Sequence, residues 1–144
     1  ENGIGIICYS PLYQGLLTGR YASANEVPDG LSRTRLYNSG RPNAEHSDTG
    51  AEEEAFAALG QIRSIAERLG EPMANVSLAW VLQQPGVTAM LVGARNPDEL
   101  KRNLPTVDLV LSKEVIQELN DATEDVKAKI GTNGDMWFSE SRMR

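Results

Sequence analysis

Two stretches hold the side chains and backbone groups best suited to gripping a charged small molecule. The first, Tyr9 to Arg20 (YSPLYQGLLTGR), follows an apolar run; the second, Leu91 to Asn103 (LVGARNPDELKRN), follows another. Each reads as a strand that ends in a loop rich in small and polar residues. In the second, Asn96 has the type of an N-cap and Pro97 that of a first helical residue. A helix opening there turns unpaired backbone N–H groups outward, and the expected occupant is a phosphate. Between Arg20 and Arg41 the chain carries Arg20, Arg33, Arg35 and Arg41 against only Glu26 and Asp29. A cationic loop on a chain of net charge -6 suits a small polyanion.

The elements that must position these loops can be read from periodicity. Residues 4–8 form a short continuous apolar run of the kind buried on both faces in a parallel sheet, ending near Tyr9. The segment 21–50 is rich in Gly, Pro, Asn and Ser, with turn signals at Pro28-Asp-Gly30 and Arg41-Pro-Asn43, and reads as a lid or binding loop, with a disordered linker as the alternative. A helix is predicted over 52–69, with Phe56, Leu59, Ile62, Ala66 and Leu69 inward, acids in its first turn and Gly70 as its stop. A second starts at Pro72, with Val76, Ala79, Trp80 and Val81 on its apolar side, and halts at Pro85-Gly86. Strand two covers 87–93 and a short helix 97–104. Ser112 caps a last helix with Val115, Ile116, Leu119 and Ala122 inward. The tail from Gly131 is irregular, anchored by Trp137 and Phe138, with Trp137 set either at a substrate mouth or as packing. The alternation of strand and helix predicts an α/β fold of parallel βα units. Two strands alone leave edges and faces without neighbours.

Composition narrows the functions. With 144 residues, 40% apolar and 24% charged, the chain has the makeup of a globular domain. Its acidity argues against nucleic-acid binding, which needs a basic footprint. Cys8 is the only cysteine, so no disulfide framework or thiolate cluster can form, and a reducing cytoplasmic setting is the default. No apolar run reaches the roughly 18 residues a membrane helix needs. The opening Glu1-Asn2-Gly3, followed almost at once by a strand, reads as part of something longer.

Other motifs fail. Gly3-x-Gly5-x-x-Cys8 lacks a third glycine and lies within the strand, where a dinucleotide fingerprint would follow it. Gly15-Leu-Leu-Thr-Gly-Arg20 lacks the Gly-Lys-Ser/Thr ending of a P-loop. His46, the only histidine, reads as a solvated loop residue beside Glu45 and Asp48, with no second histidine for a zinc site or relay. Glu52, Glu53 and Glu54 read as the acidic first turn of a helix, and the sequon at Asn75 falls inside one.

Three ordered blocks carry a resemblance: Ile7-Cys-Tyr-Ser-Pro-Leu12 with Gly15-Leu-Leu-Thr-Gly-Arg-Tyr21; Leu78-Ala-Trp-Val-Leu82 with Gln84-Pro-Gly-Val-Thr88; and Val92-Gly-Ala-Arg-Asn-Pro97 with Glu99, Leu100, Asn103 and Leu104. On these the chain resembles the aldo-keto reductase superfamily. The resemblance implies the carboxyl-terminal portion of a (β/α)8 TIM barrel: strand and phosphate loop at 1–20, lid at 21–50, two helices at 51–86, strand and adenosine-phosphate helix at 87–104, last helix and tail at 105–144. It implies NADP as cofactor, with Tyr9 stacking on the nicotinamide. Ser10, Leu12, Gln14, Gly15 and Leu17 would line the ribose and pyrophosphate, and Arg20 would cover the pyrophosphate. Arg33 or Arg35 stands as the lid arginine. Gly93, Arg95, Glu99 and Asn103 match the positions around the adenosine 2′-phosphate and adenine. Two residues depart from the pattern: Glu99 replaces a more usual Gln, placing an acid beside a phosphate, and Arg102 replaces a common Glu. Glu99 could instead serve a capping box with Asn96.

Such reductases use an Asp, Tyr, Lys and His, and none is assignable here, so no catalytic residue and no metal ligand is expected in this chain. The implied activity is hydride transfer to an aldehyde or ketone, with the missing amino-terminal part of the barrel supplying the tetrad. This chain alone is expected to be inactive. Two other readings stand beside it: a nucleotide-binding regulatory subunit similar to the potassium-channel β subunits, and an inactive truncated fragment.

Overall fold

A computed structural model describes residues 3–140 and 142. The chain divides into two compact units, one formed by residues up to 20 with 62–119, the other by 21–61 with residues from 120 onward. The divisions fall inside two helices, so each is described by its own residues.

The first unit holds strand β1 (Ile6–Tyr9), helix α2 (Met73–Leu82), strand β2 (Val87–Leu91) and helix α3 (Pro97–Asn103). It also holds most of helix α4 (Lys113–Ala122) and the second half of helix α1 (Glu52–Leu69). β1 and β2 pair in parallel, with Ile6 opposite Val87 and Tyr9 opposite Leu91, and the register shifts between Ile6 and Ile7. Gly5 permits the approach of the two chains: a Cβ there would lie 2.1 Å from Thr88 Oγ1, which no side chain tolerates. α2 packs on β2, on the 3-10 turns at Tyr13–Thr18 and on the turn at Leu104–Val107.

Burial along α2 differs from expectation. Met73, Asn75, Val76, Ser77, Leu78 and Ala79 are all buried, and Trp80 and Val81 only partly, so this short helix is enclosed on every side. A period-based reading assumes one solvated face, and α2 has none over its first two turns. The strands differ in the opposite sense. Ile6, Ile7, Tyr9 and Leu91 are exposed, so the apolar run of β1 is not covered on both faces within this chain.

The second unit contains the loop 21–50, the first half of α1 and helix α5 (Glu124–Ile130) with the tail. α1 has the predicted bounds, with its acids in the first turn and the left-handed Gly70 (φ 69°) beyond its end. Its buried face runs through Ala55, Ala58, Leu59, Ile62, Ile65 and Ala66, while Phe56 is half-buried and Leu69 exposed. The stripe is rotated toward alanines, which a pattern of large apolar residues does not reveal. Ser112 does cap α4, its Oγ accepting from the Val115 N–H at 3.3 Å. α4 is not the last helix, however, because a turn at Thr123 leads directly into α5. Among the described residues no helix is long and apolar enough to cross a membrane.

Candidate functional site

Parallel pairing of β1 and β2 sends the segments after Tyr9 and after Leu91 out at the same end of one small sheet. Open α/β sheets and barrels place their ligands at the carboxyl ends of parallel strands. Tyr9 marks the tip of β1 and is 76% exposed, leaving its ring face accessible.

The segment after β1 is strained in a concentrated way. Ser10, Tyr13 and Gln14 take φ of 49°, 47° and 56°, a left-handed region costing on the order of 1 kcal/mol or more for each non-glycine residue. Such a conformation persists only where surrounding contacts enforce it. Leu16 is buried beneath the loop, and Ser77 Oγ of α2 donates to Leu17 O at 3.3 Å. Arg63 Nη2 of α1 donates to Gly19 O at 3.0 Å, and a Cβ on Gly19 would meet Met73 Sδ at 2.8 Å. Leu12, Gln14, Gly15 and Leu17 are left half-buried at the sheet end, and Ser10 and Arg20 exposed. The side chain of Arg20 lies across Gly15, its Cδ 3.5 Å from where a Cβ would stand. This cluster of positive φ angles has no signal in the sequence, where Tyr13 and Gln14 look ordinary.

After β2, Gly93 faces open space, a Cβ there meeting no protein atom within 4 Å. Asn96 caps α3 as expected, its Oδ1 accepting from the Glu99 N–H at 2.9 Å. The reciprocal arm of a capping box does not form. Instead the Arg95 backbone N–H donates to Glu99 Oε2 at 2.7 Å, and Arg95 Nε and Nη2 donate to Glu99 Oε1 at 3.0 and 2.6 Å. Two backbone N–H groups at this opening, those of Arg95 and Glu99, are thus already donated within the chain, which corrects the expectation of an outward-facing anion cradle. The Arg95 guanidinium beside Glu99 holds its carboxyl below the usual carboxylate range. Asn103 closes α3, half-buried.

The remaining expected residues, Arg33 and Arg35, belong to the second unit. Arg35 is 8% exposed, ion-paired through Nε with Asp48, and donates to the carbonyls of Ile130, Asn133 and Asp135 at 3.0, 3.0 and 3.1 Å. It works as an internal clasp, so its guanidinium is not presented to a ligand. Arg33 is exposed and lies over the Trp137 ring, 5.5 Å from its centroid. Arg41 forms a two-pronged pair with Glu52 at 2.7 Å on both bonds. Arg35 and Arg41, two of the arginines that suggested a cationic loop, are therefore neutralised by neighbouring acids.

Two further residues depart from expectation. His46 is 9% exposed rather than solvated, with neither ring nitrogen hydrogen-bonded among the described residues. Asp135, which no sequence motif singled out, is 3% exposed and organises the tail. It accepts from the Trp137 N–H at 2.9 Å and from Arg142 Nε at 2.9 Å, and these donors hold its carboxyl far below the usual range. A signal was available: Asn133 Oδ1 accepts from Asp135 N–H two residues on, and Asp135 from Trp137, the pattern of successive Asx turns. Among the described residues no three His, Cys, Asp or Glu side chains converge as metal ligands would.

The chain is 33% identical over 121 residues to an uncharacterized oxidoreductase, YrpG, of Bacillus subtilis (strain 168), covering 84% of this chain and 32% of that protein. It is 30% identical over 126 residues to an L-glyceraldehyde 3-phosphate reductase of Escherichia coli O157:H7, covering 87% and 35%. A putative voltage-gated potassium channel subunit beta of Schizosaccharomyces pombe is 29% identical over 123 residues, with 83% and 34% covered. The chain thus spans about a third of the length of these curated relatives. Among solved structures, the glycerol dehydrogenase AKR11B4 of Gluconobacter oxydans superposes with a TM-score of 0.63 at 25% identity, over 83% of this chain and 34% of that one. The model of the aldo/keto reductase family matches residues 1–124, and the chain belongs to that family.

Proposed function

We propose that this chain is the cofactor-binding, carboxyl-terminal part of a (β/α)8 oxidoreductase that moves a hydride between a nicotinamide dinucleotide and the carbonyl of a small aldehyde or ketone. One observation carries the reading: Tyr9 pairs with Leu91, so the two loops that resemble a dinucleotide site leave the same end of one sheet. The residues there fit such a ligand. Tyr9 offers an exposed aromatic face for stacking a flat ring. Gly93 leaves room for close approach of a backbone-bound ligand, and Arg20, laid across Gly15, brings a guanidinium beside the loop. The dinucleotide, when bound, supplies the hydride; the chain's own residues bind and orient it. NADP follows from the family resemblance, and acceptance of its 2′-phosphate turns on the state of Arg95 and Glu99. Of the two lid candidates, Arg33 is the one whose guanidinium is not clasped inside the protein.

Further strands supplied by an amino-terminal partner segment would cover the exposed Ile6, Ile7 and Leu91 and bring the catalytic Asp, Tyr, Lys and His. The relatives named for L-glyceraldehyde 3-phosphate and glycerol point to small polyol-derived carbonyls as substrates. The potassium-channel relatives keep a second reading in view, a dinucleotide-loaded regulatory subunit, which needs the same cofactor site but no tetrad. A fluorescence titration of the chain with NADPH and NADH tests the binding site: Tyr9→Ala is expected to weaken both about tenfold, the scale of one lost aromatic stack with its buried area. Unchanged binding in that variant would remove Tyr9 from the site. NADPH absorbance in the presence of an aromatic aldehyde is expected to stay constant with this chain alone, and turnover would refute the assignment of the tetrad to another segment.

A further inference from the structure

The contact between Arg95 and Glu99 bears on which dinucleotide the proposed site takes, and its meaning for the cofactor rests on the reading of these loops as a dinucleotide site. Glu99 is 18% exposed while Arg95 is 76% exposed, so the carboxylate is the better-fixed member and the guanidinium folds back onto it. Both prongs of the contact matter. One carboxylate oxygen takes the Arg95 backbone N–H, and the other takes two guanidinium N–H groups. These are the donors that a phosphate arriving beside Arg95 would use. A carboxylate on the same chain, four residues away, competes for them without any loss of translational freedom. A phosphate that did displace it would still sit beside an added negative charge. Lys101 and Arg102 lie later in α3, and Glu99 is directly engaged with the arginine through both carboxylate oxygens.

We propose that Glu99 is a tethered counter-anion that fills the place of a ribose 2′-phosphate, setting this site toward NAD or toward no preference, against the NADP that the family resemblance implies. A carboxylate also accepts well from a ribose 2′-hydroxyl, the interaction by which acidic residues favour NAD in dinucleotide folds. Glu99 is thereby a specificity-determining residue for the cofactor and has no part in the chemical step.

The test separates the role of Glu99 from the existence of the dinucleotide site by using adenosine probes that differ only in the 2′-phosphate. Adenosine 2′,5′-bisphosphate and 5′-AMP are titrated calorimetrically into the wild-type chain, Glu99→Gln and Asp98→Asn, with circular dichroism confirming that each is folded. Wild type is expected to bind the two probes within about threefold of each other, the range of an exposed ion pair. Glu99→Gln is expected to bind the bisphosphate about tenfold more tightly, as one charge-assisted bond gained and one repulsion removed would give, with AMP bound no more tightly than by the wild type, since the weaker amide acceptor replaces the carboxylate at its 2′-hydroxyl. Asp98→Asn, which removes the same charge from the same turn, is expected to change neither. A wild-type preference for the bisphosphate of tenfold or more, an unchanged ratio in Glu99→Gln, or an equal gain in Asp98→Asn would each overturn the role of Glu99. Failure of both probes to bind any of the three proteins would overturn the dinucleotide reading itself, and the role of Glu99 with it.

Discussion

Replacing Arg35 by methionine tests whether this arginine is a clasp of the fold or a ligand for phosphate. Methionine keeps much of the side-chain volume and removes every donor. Four acceptors then lose their partner: the Asp48 carboxylate and the carbonyls of Ile130, Asn133 and Asp135. Removing one member of a buried ion pair costs roughly 3–5 kcal/mol, because the other is left unpaired. Asp48 is 33% exposed, so water restores part of its solvation and moves the figure toward the lower end. The carbonyls lie in a part-buried tail, each costing about 1 kcal/mol when left without a donor. The ion pair at its lower end and the three carbonyls together give an expected loss of about 3–6 kcal/mol, the lower figure applying if water reaches the carbonyls, and either is a large fraction of the stability of a domain this size. Urea unfolding followed by the fluorescence of Trp80 and Trp137 measures it, and hydrogen exchange locates it. Amides from 130 to 139 should lose protection before those of α2. A loss below about 1 kcal/mol, or protection lost evenly along the chain, would refute the clasp.

Three further outcomes are expected. Arg33→Ala should cost less than about 1 kcal/mol, since it breaks only an exposed cation–ring contact with Trp137, and urea unfolding measures it; a severe loss of stability would give Arg33 a structural role like that of Arg35. Asp48, Glu52 and Asp135 all have folded pKa values lowered by a bonded arginine, so their contribution is fully present above the ordinary carboxylate value of about 4 and fades as pH falls below it. Urea midpoints should accordingly be level between about pH 5 and 7 and drop steeply below about pH 4, and a midpoint unchanged at about pH 3 would contradict these pairings. Gln14→Gly should raise stability by about 0.5–1 kcal/mol by relieving a left-handed backbone, and a lower melting temperature would mean that Gln14 is held by contacts worth more than its strain.

How far each feature could be read depended on the range of the interaction behind it. The bounds of α1, the cap at Ser112, the N-cap at Asn96 and the order of strands and helices as far as α4 follow from neighbours within a few residues, and amino-acid types record such short-range preferences. The likeness at Tyr9 to Arg20 and Gly93 to Asn103 was equally readable, because each loop is one continuous stretch. Which face of a helix is covered, by contrast, depends on partners distant in the chain. So α2 proved enclosed all round, and α1 turned its alanines inward.

Charge made the same point most clearly. Arg33 and Arg35 stand two residues apart and were interchangeable in the sequence, yet one lies over an aromatic ring and the other is buried among acceptors from residues 48 and 130–135. Types and local spacing decided the elements, the loops and the family. Only the tertiary structure decided which arginines are neutralised, that Glu99 holds Arg95, and that Tyr9 and Leu91 are neighbours, because ion pairs and strand pairing depend on distance in space, and separation along the chain does not encode it.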